Sequence, residues 1–282
     1  MKNKSGFIYR YSRNKLAVVA LFVFVALVLS IFTYAWFIAD FEQDIVAQNN
    51  VQRLLAPSAE HLMGTDEYGR DIFLRILYGG QYSLFIGVVS VAVALVLGIF
   101  LGSVAGYFGG IVDNVIMRLM DVFLALPLML MAMVVVAALG AGMSSLIWAM
   151  ALASTPDYAR QVRVALLSIR GEEYIEAARA VGTPKWRIVL EHMLPNVIGP
   201  IIVRATLSVA STIMTAASMS YLGIGIQPPL PEWGAMLSSS KRFLTTDPLL
   251  ALWPCLAIVV TVLCINLIGD GVRDAIDPKL RD

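Results

Sequence analysis

The chain has 282 residues, of which 59% are hydrophobic and only 15% charged, with a formal net charge of +1. That balance excludes an ordinary soluble domain and leaves no cationic stripe for nucleic acid. Cys255 and Cys264 stand nine residues apart in the last apolar stretch, on opposite faces of an ideal helix, and are read as small buried apolar residues. His61 and His192 lack neighbours at ligand spacing, so neither a metal nor a cofactor site is expected.

Residues 1–15 carry Lys2, Lys4, Arg10, Arg13 and Lys15 with no acid, which predicts a cytoplasmic N-terminal tail. Residues 16–38 are uncharged, long enough to span a bilayer, and end in an aromatic belt of Phe32, Tyr34, Trp36 and Phe37. They are read as the first transmembrane helix and not as a cleaved signal, because the apolar run exceeds a signal's and lacks a small-residue cleavage site. Residues 39–82 are polar and acidic, which places them outside as an extracytoplasmic loop.

Residues 83–269 read as a core of five further spans. The first runs from Ser83 to Ala105 and ends in a turn at Gly106, Gly109 and Gly110. The uncharged stretch between Asp121 and Asp157 holds two spans joined by a turn at Gly140, Gly142, Ser144 and Ser145, with Pro127 kinking the first. Arg118 and Asp121 are one turn apart and able to pair. The methionines at 117, 120, 129, 131, 133 and 143 suit either an adaptable path or a lipid-facing filler. A basic segment at 160–187 returns to the cytoplasm. A fifth span covers 197–221, with Arg204 near its start, and a Pro-rich external loop holds Pro228, Pro229, Pro231 and Trp233. A sixth span covers 249–269, and 270–282 form a cytoplasmic C-terminal tail. The expected fold is therefore an all-α polytopic membrane protein with about six transmembrane helices and both termini cytoplasmic.

The segment 171–196, GEEYIEAARAVGTPKWRIVLEHMLPN, predicts a two-helix elbow. Glu172, Glu173 and Glu176 favour the first helix's N-terminus. Gly182 stops that helix in the left-handed conformation. Thr183 is the expected N-cap of the second helix, Pro184 its first residue, and Pro195 its end. Ala177 and Ala178 permit close approach.

The string Glu176, Ala177, Ala178, Gly182, Ile188, Leu194 and Pro195 resembles the EAA loop of binding-protein-dependent ABC importer permeases. Four further strings, GTDEYGRDIFLRILYGG from Gly64, MRLMDVFLALP from Met117, LGIGIQPPLPEWGAML from Leu222 and NLIGDGVRDAIDPKL from Asn266, are similar to the C-type permease of the dipeptide, oligopeptide and nickel importers. The resemblance implies a type I ABC importer permease fold in a bacterial inner membrane. It implies that Glu176, Ala177, Ala178, Gly182, Thr183, Pro184, Ile188, Leu194 and Pro195 couple the pore to two cytoplasmic ATPases. Those partners use ATP and Mg; this chain has no phosphate-binding GxxxxGK[ST] loop and no catalytic residues are expected. A homologous second permease and an extracytoplasmic binding protein complete the implied assembly. Cargo is expected to be a di- or oligopeptide, with nickel, a metal chelate or glutathione as alternatives. Asp66, Glu67, Arg70 and Asp71 either orient the docked binding protein, close an outer gate, or form an ordinary polar loop whose Ile72, Ile76 and Leu77 face lipid. An ion-coupled secondary transporter and an intramembrane enzyme are the competing classes; the first lacks ionisable groups near span centres, the second a nucleophile with its base or an HExxH pair.

Overall fold

A computed structural model describes residues 7–276. The basic residues Lys2, Lys4, Lys279 and Arg281 and the end of the last motif lie outside the described residues. Among the described residues every regular element is helical. In chain order they are α1 (Phe7–Arg13), α2 (Lys15–Thr33), α3 (Ile72–Phe108), α4 (Gly110–Leu124), α5 (Leu128–Leu139), α6 (Met143–Ile169), α7 (Glu173–Ala180), α8 (Lys185–Arg187), α9 (Leu194–Tyr221), α10 (Trp233–Ser240) and α11 (Leu249–Ile276).

Four helical stretches have the length and apolarity to cross a membrane: Lys15–Ile38, Ile72–Phe108, Lys185–Tyr221 and Leu249–Ile276. A fifth candidate is the broken pair α4–α5, bent by 91°. Pro127 therefore does not kink a span from within. The chain stops helical hydrogen bonding after Leu124, and Pro127 caps α5 in an extended conformation, because a proline ring in mid-helix would collide with the carbonyl one turn back. With 12 residues, α5 reaches only about 18 Å, well short of the hydrocarbon thickness.

The helix α3 begins at Ile72, earlier than the Ser83 start expected from hydropathy, because Asp71 accepts the Leu74 amide at 3.0 Å and caps it there. Ile72 and Ile76 are buried against Trp233 and not turned to lipid. Gly106 is still helical; the turn is made at Gly109 and Gly110, both at positive φ.

α3 lies along α6, and the contact is backbone-close. A Cβ placed on Gly98 would sit 2.3 Å from the Tyr158 Cβ, and one on Gly102 2.5 Å from the Ala159 carbonyl oxygen. Small residues at such spacing let membrane helices gain dispersion contact where lipid supplies no hydrophobic drive. On the other side, α9 and α11 pack together and against α3, with Ile31 of α2, Ile213, Trp233, Leu250 and Ile265 in one buried cluster. Met129, Met131, Met133 and Met143 pack against a second cluster that contains Val136, Leu146 and Met150. Cys264 is buried as expected, but Cys255 is exposed on the outside of α11.

Replacing Gly102 with leucine should force α3 and α6 apart at a cost of about 1–3 kcal/mol. Thermal unfolding in detergent would register it as a lowered midpoint, whereas an equal substitution at Gly110, where no atom lies within 4 Å of a Cβ, should act through its local backbone alone.

Candidate functional site

The elbow follows directly from α6. After Ile169 the chain turns at Arg170 and Gly171, and α7 starts at Glu173 with Glu173 and Glu176 in its first turn and Arg179 in its last, the arrangement the helix dipole favours. α7 closes with paired bonds: the Thr183 amide donates to the Ala178 carbonyl at 3.1 Å and the Gly182 amide to the Arg179 carbonyl at 3.0 Å. This is the Schellman arrangement, which needs a left-handed residue, and Gly182 supplies it at φ +79°. Thr183 thus acts through its backbone at the end of α7, not as a side-chain cap of the next helix. The cap position is occupied by Pro184, and Lys185 is the first helical residue.

Pro195 does not end the second helix either. Lys185–Tyr221 is one continuous helical stretch, with a wide turn of π type at Ile188–Met193. The Leu194 amide there bonds to the Val189 carbonyl, five residues back. The extra residue in that turn removes the clash and the missing donor that Pro195 would otherwise bring to a regular helix.

Ile175 and Ala178 of α7 and Ile188 and Met193 of the wide turn are buried together with Val162 and Leu166 of α6. Leu194 packs at the edge of that cluster, while Glu176, Ala177, Gly182, Pro184 and Pro195 face outward. The predicted coupling residues thus divide: Ala178, Ile188 and Leu194 hold the elbow together, and the rest form its outer surface. Four large apolar side chains join that surface without having been singled out from sequence: Tyr174, Val181 at 80% exposure, Trp186 and Leu190. The elbow is also tied to the end of α3. Arg179 lies over the Tyr107 ring at 5.8 Å and Lys185 over the Phe108 ring at 5.5 Å.

Two ion pairs join α4 to α6 beside the elbow. Asp113 receives two bonds from the Arg163 guanidinium, and Arg160 bonds Asp121 at 2.9 Å. The anticipated Arg118–Asp121 pair is present at 4.0 Å, but Arg160 is the closer partner. The partner came from α6, 39 residues further on, which local spacing does not reveal.

At the opposite end of α3, residues 64–75 form a compact charged turn. The Asp66 carboxylate accepts the Tyr68 amide at 2.8 Å, the Arg70 amide at 3.0 Å and the Arg70 Nε at 2.7 Å, with Arg75 Nε at 3.5 Å. Arg75 also donates to the Ile45 carbonyl, pinning the loop to the start of α3. Asp71, besides capping α3, lies 2.8 Å from His61 Nδ1. Asp66, Glu67 and Arg70 are all more than 90% buried, so the turn is not an ordinary solvated loop.

Beside it stands a residue the sequence reading passed over. Glu232, 1% exposed, accepts the Gly234 and Ala235 amides at 3.0 Å and the Ser83 hydroxyl at 3.2 Å. Burial pushes its carboxyl pKa up, against the hydrogen bonds from Gly234, Ser220, Ala235 and Ser83, which pull it down. It seats α10 against α3, and Trp233 Nε1 completes the join by donating to the Ile76 carbonyl at 3.0 Å. The sequence signal was the acid directly before Trp233 and Gly234 in a Pro-rich stretch, a cap position.

The profile of the binding-protein-dependent transport system inner membrane component matches residues 98–282, and the profile of the N-terminal transmembrane domain of oligopeptide transport permease C matches residues 5–57. The chain belongs to this permease family. Among its relatives, the dipeptide transport system permease protein DppC of Alkalihalophilus pseudofirmus is 44% identical over 270 residues, covering 95% of this chain and 88% of the relative. The glutathione transport system permease protein GsiD of Pectobacterium atrosepticum is 43% identical over 275 residues, covering 96% and 90%. A chain of the inward-facing MetNI methionine ABC transporter shares the fold, with a TM-score of 0.60 at 21% identity over 73% of this chain and 98% of the other. As a member of the ABC importer permeases, the chain is a multi-pass inner-membrane transport subunit.

Removing the carboxylate at Asp66→Ala leaves the Arg70 and Arg75 guanidiniums buried without their shared partner, at a cost of about 3–5 kcal/mol. Asp71→Ala removes a helix cap and should cost about 0.5–2 kcal/mol. Thermal unfolding of the two purified variants should rank them in that order.

Proposed function

We propose that this permease forms half of the translocation pore of an ATP-driven, binding-protein-dependent importer of short peptides, working with a second homologous permease, two cytoplasmic ATPases and an extracytoplasmic binding protein. The observation that carries the reading is the elbow. Its inner side is anchored on α6 and α3, its outer side presents Glu176, Ala177, Gly182 and Pro184 beside exposed Tyr174, Val181 and Trp186, and its second limb runs without a break into α9. A protein that grips the outer face moves a membrane helix. Hydrolysis belongs to the ATPases, and this chain supplies no catalytic group.

Six crossings follow if α4–α5 and α6 are both counted with the four apolar stretches. α6 is less apolar because it carries Asp157, Arg160 and Arg163, but Asp113 and Asp121 of α4 pair the two arginines, which lowers the cost of holding them near the bilayer. An even number of crossings puts both termini on one side, and the basic residues Arg10, Arg13 and Lys15 favour the cytoplasm. The loop 39–71 and α10 then face outward. There Asp66 and Asp71 shape the surface on which the binding protein docks, while Glu67 and Arg70 face a cavity.

Dipeptides are the first expectation for cargo and glutathione the second, since the two curated relatives carry those names. Co-reconstituted with its partners in liposomes, the permease should support uptake of dialanine that requires ATP and the binding protein and ignores ion gradients. Uptake driven by an ion gradient without ATP would overturn the reading, and uptake of glutathione in place of dialanine would select the second cargo. Gly182→Val should uncouple the machine. A Cβ there meets nothing within 4 Å, so the effect is conformational: the left-handed backbone costs a branched residue about 1–2 kcal/mol, enough to shift the elbow's population roughly 5- to 30-fold. ATP hydrolysis should continue while uptake falls, and Gly182→Asn, which tolerates that backbone, should be milder.

A further inference from the structure

A cavity of about 250 Å³ lies between the charged turn and the segment that joins α9 to α10. One wall is charged: Glu67, Arg70 and Arg75. The facing wall is apolar, with Ile226, Pro228, Leu230 and Met236, and Arg242 stands at the exposed rim.

The charges are unevenly committed. Asp66 is consumed by the Arg70 Nε, two amides and Arg75. Glu67, only 5% exposed, makes no hydrogen bond and no ion pair among the described residues, although it lines the cavity and Arg75 feels its field. Arg70, 7% exposed, uses Nε on Asp66 and stacks on the Tyr68 ring at 4.6 Å, and its terminal nitrogens make no hydrogen bond among the described residues. A carboxylate and a guanidinium edge thus both open onto the cavity with no hydrogen-bond partner among the described residues.

What fills it must suit both signs. A metal ion would have one free carboxylate and three guanidiniums around it, and a simple anion would meet Glu67. An ammonium on Glu67 with a carboxylate on the Arg70 edge and Arg242 satisfies every group. The apolar wall receives an uncharged side chain. The volume falls below the roughly 300–1,000 Å³ typical of drug-sized ligands, so the occupant is small.

We propose that this cavity binds the zwitterionic form of a short peptide, its ammonium on Glu67 and its carboxylate on Arg70 and Arg242, as a receiving site on the permease itself. The inference rests on the peptide-importer reading for its choice of peptide over other zwitterions, and it adds a selectivity element to the pore subunit.

The test uses the complete transporter, both permeases and both ATPases, in lipid nanodiscs without the binding protein. Dialanine, N-acetyl-dialanine and dialanine amide are titrated separately. Wild type should prefer dialanine to either blocked analogue by roughly 10- to 100-fold, the range for a charge-assisted bond. Glu67→Gln should abolish the preference over the N-acetyl peptide while keeping that over the amide. Arg242→Gln, at the exposed rim and harmless to folding, should do the reverse. Equal binding of all three peptides by wild type, or preferences that survive both substitutions, would overturn the site. ATP-driven uptake of dialanine that persists without those preferences sinks the cavity site and leaves the importer standing. Selective binding without any ATP-driven uptake does the opposite.

Discussion

The close approach of α3 to α6 is the constraint on which the remaining structure depends. Gly98 and Gly102 leave no room for a side chain between the two backbones, so the helices cannot slide or rotate past one another without losing contact over several turns. α3 has 37 residues and is about 55 Å long. Its first residue is fixed by the charged turn at Asp66 and Asp71, and its last aromatic pair, Tyr107 and Phe108, receives Arg179 and Lys185 of the elbow. One strut therefore connects the cavity beside the charged turn to the elbow.

Most of the buried charged groups are paired, and the buried atoms left without a partner among the described residues are neutral hydroxyls and ring nitrogens such as Ser90, Ser103, Tyr158 and Trp253. Arg163 meets Asp113 in two bonds, Glu232 accepts three, and Asp66 serves two arginines. Buried ions of this kind seldom stabilise a fold beyond what well-packed apolar groups would supply. Their effect is to specify register: Arg163–Asp113 and Ser83–Glu232 join elements distant in sequence and penalise any other alignment, while Asp66 fixes its own turn. Glu67 differs in lining the cavity without a protein partner among the described residues.

Much of the architecture was legible in the sequence because membrane helices announce themselves by runs without charge. The residues 16–38, 197–221 and 249–269 coincide with long helices, and Gly182 lies where its backbone freedom is needed. The boundaries set by tertiary partners were not legible. Asp71 starts α3 before hydropathy rises, since a cap depends on one hydrogen bond and not on a window of apolarity. Pro127 reads as a kink within one span because its surroundings are uniformly apolar, whereas the helix stops before it and the chain turns by 91° into α5. Pro195 looked like a stop, because a widened turn at Ile188–Met193 leaves no mark in composition. The candidate coupling residues lie together on the elbow, but their division between anchoring and outward-facing members needed the packing of Ile175 and Met193.

The continuity of the helix through Pro195 changes how the proposed coupling must act. Were the second limb of the elbow a separate helix, a push on it would be absorbed at a flexible joint before reaching the membrane. Because Lys185–Tyr221 is one helical stretch, Trp186 and Tyr221 belong to one element, and the segment just beyond Tyr221 lines the cavity with Gly223, Ile226 and Gln227. Two points between the ends are softer than a regular helix: the wide turn at Ile188–Met193, where i→i−5 bonds replace the regular ladder, and Pro200, which lacks the amide donor to the carbonyl one turn back. Under the proposed coupling, a push at Trp186 therefore passes the wide turn and Pro200 before it reaches Gly223, Ile226 and Gln227, which face the charged turn that carries Glu67 and Arg70 across the cavity.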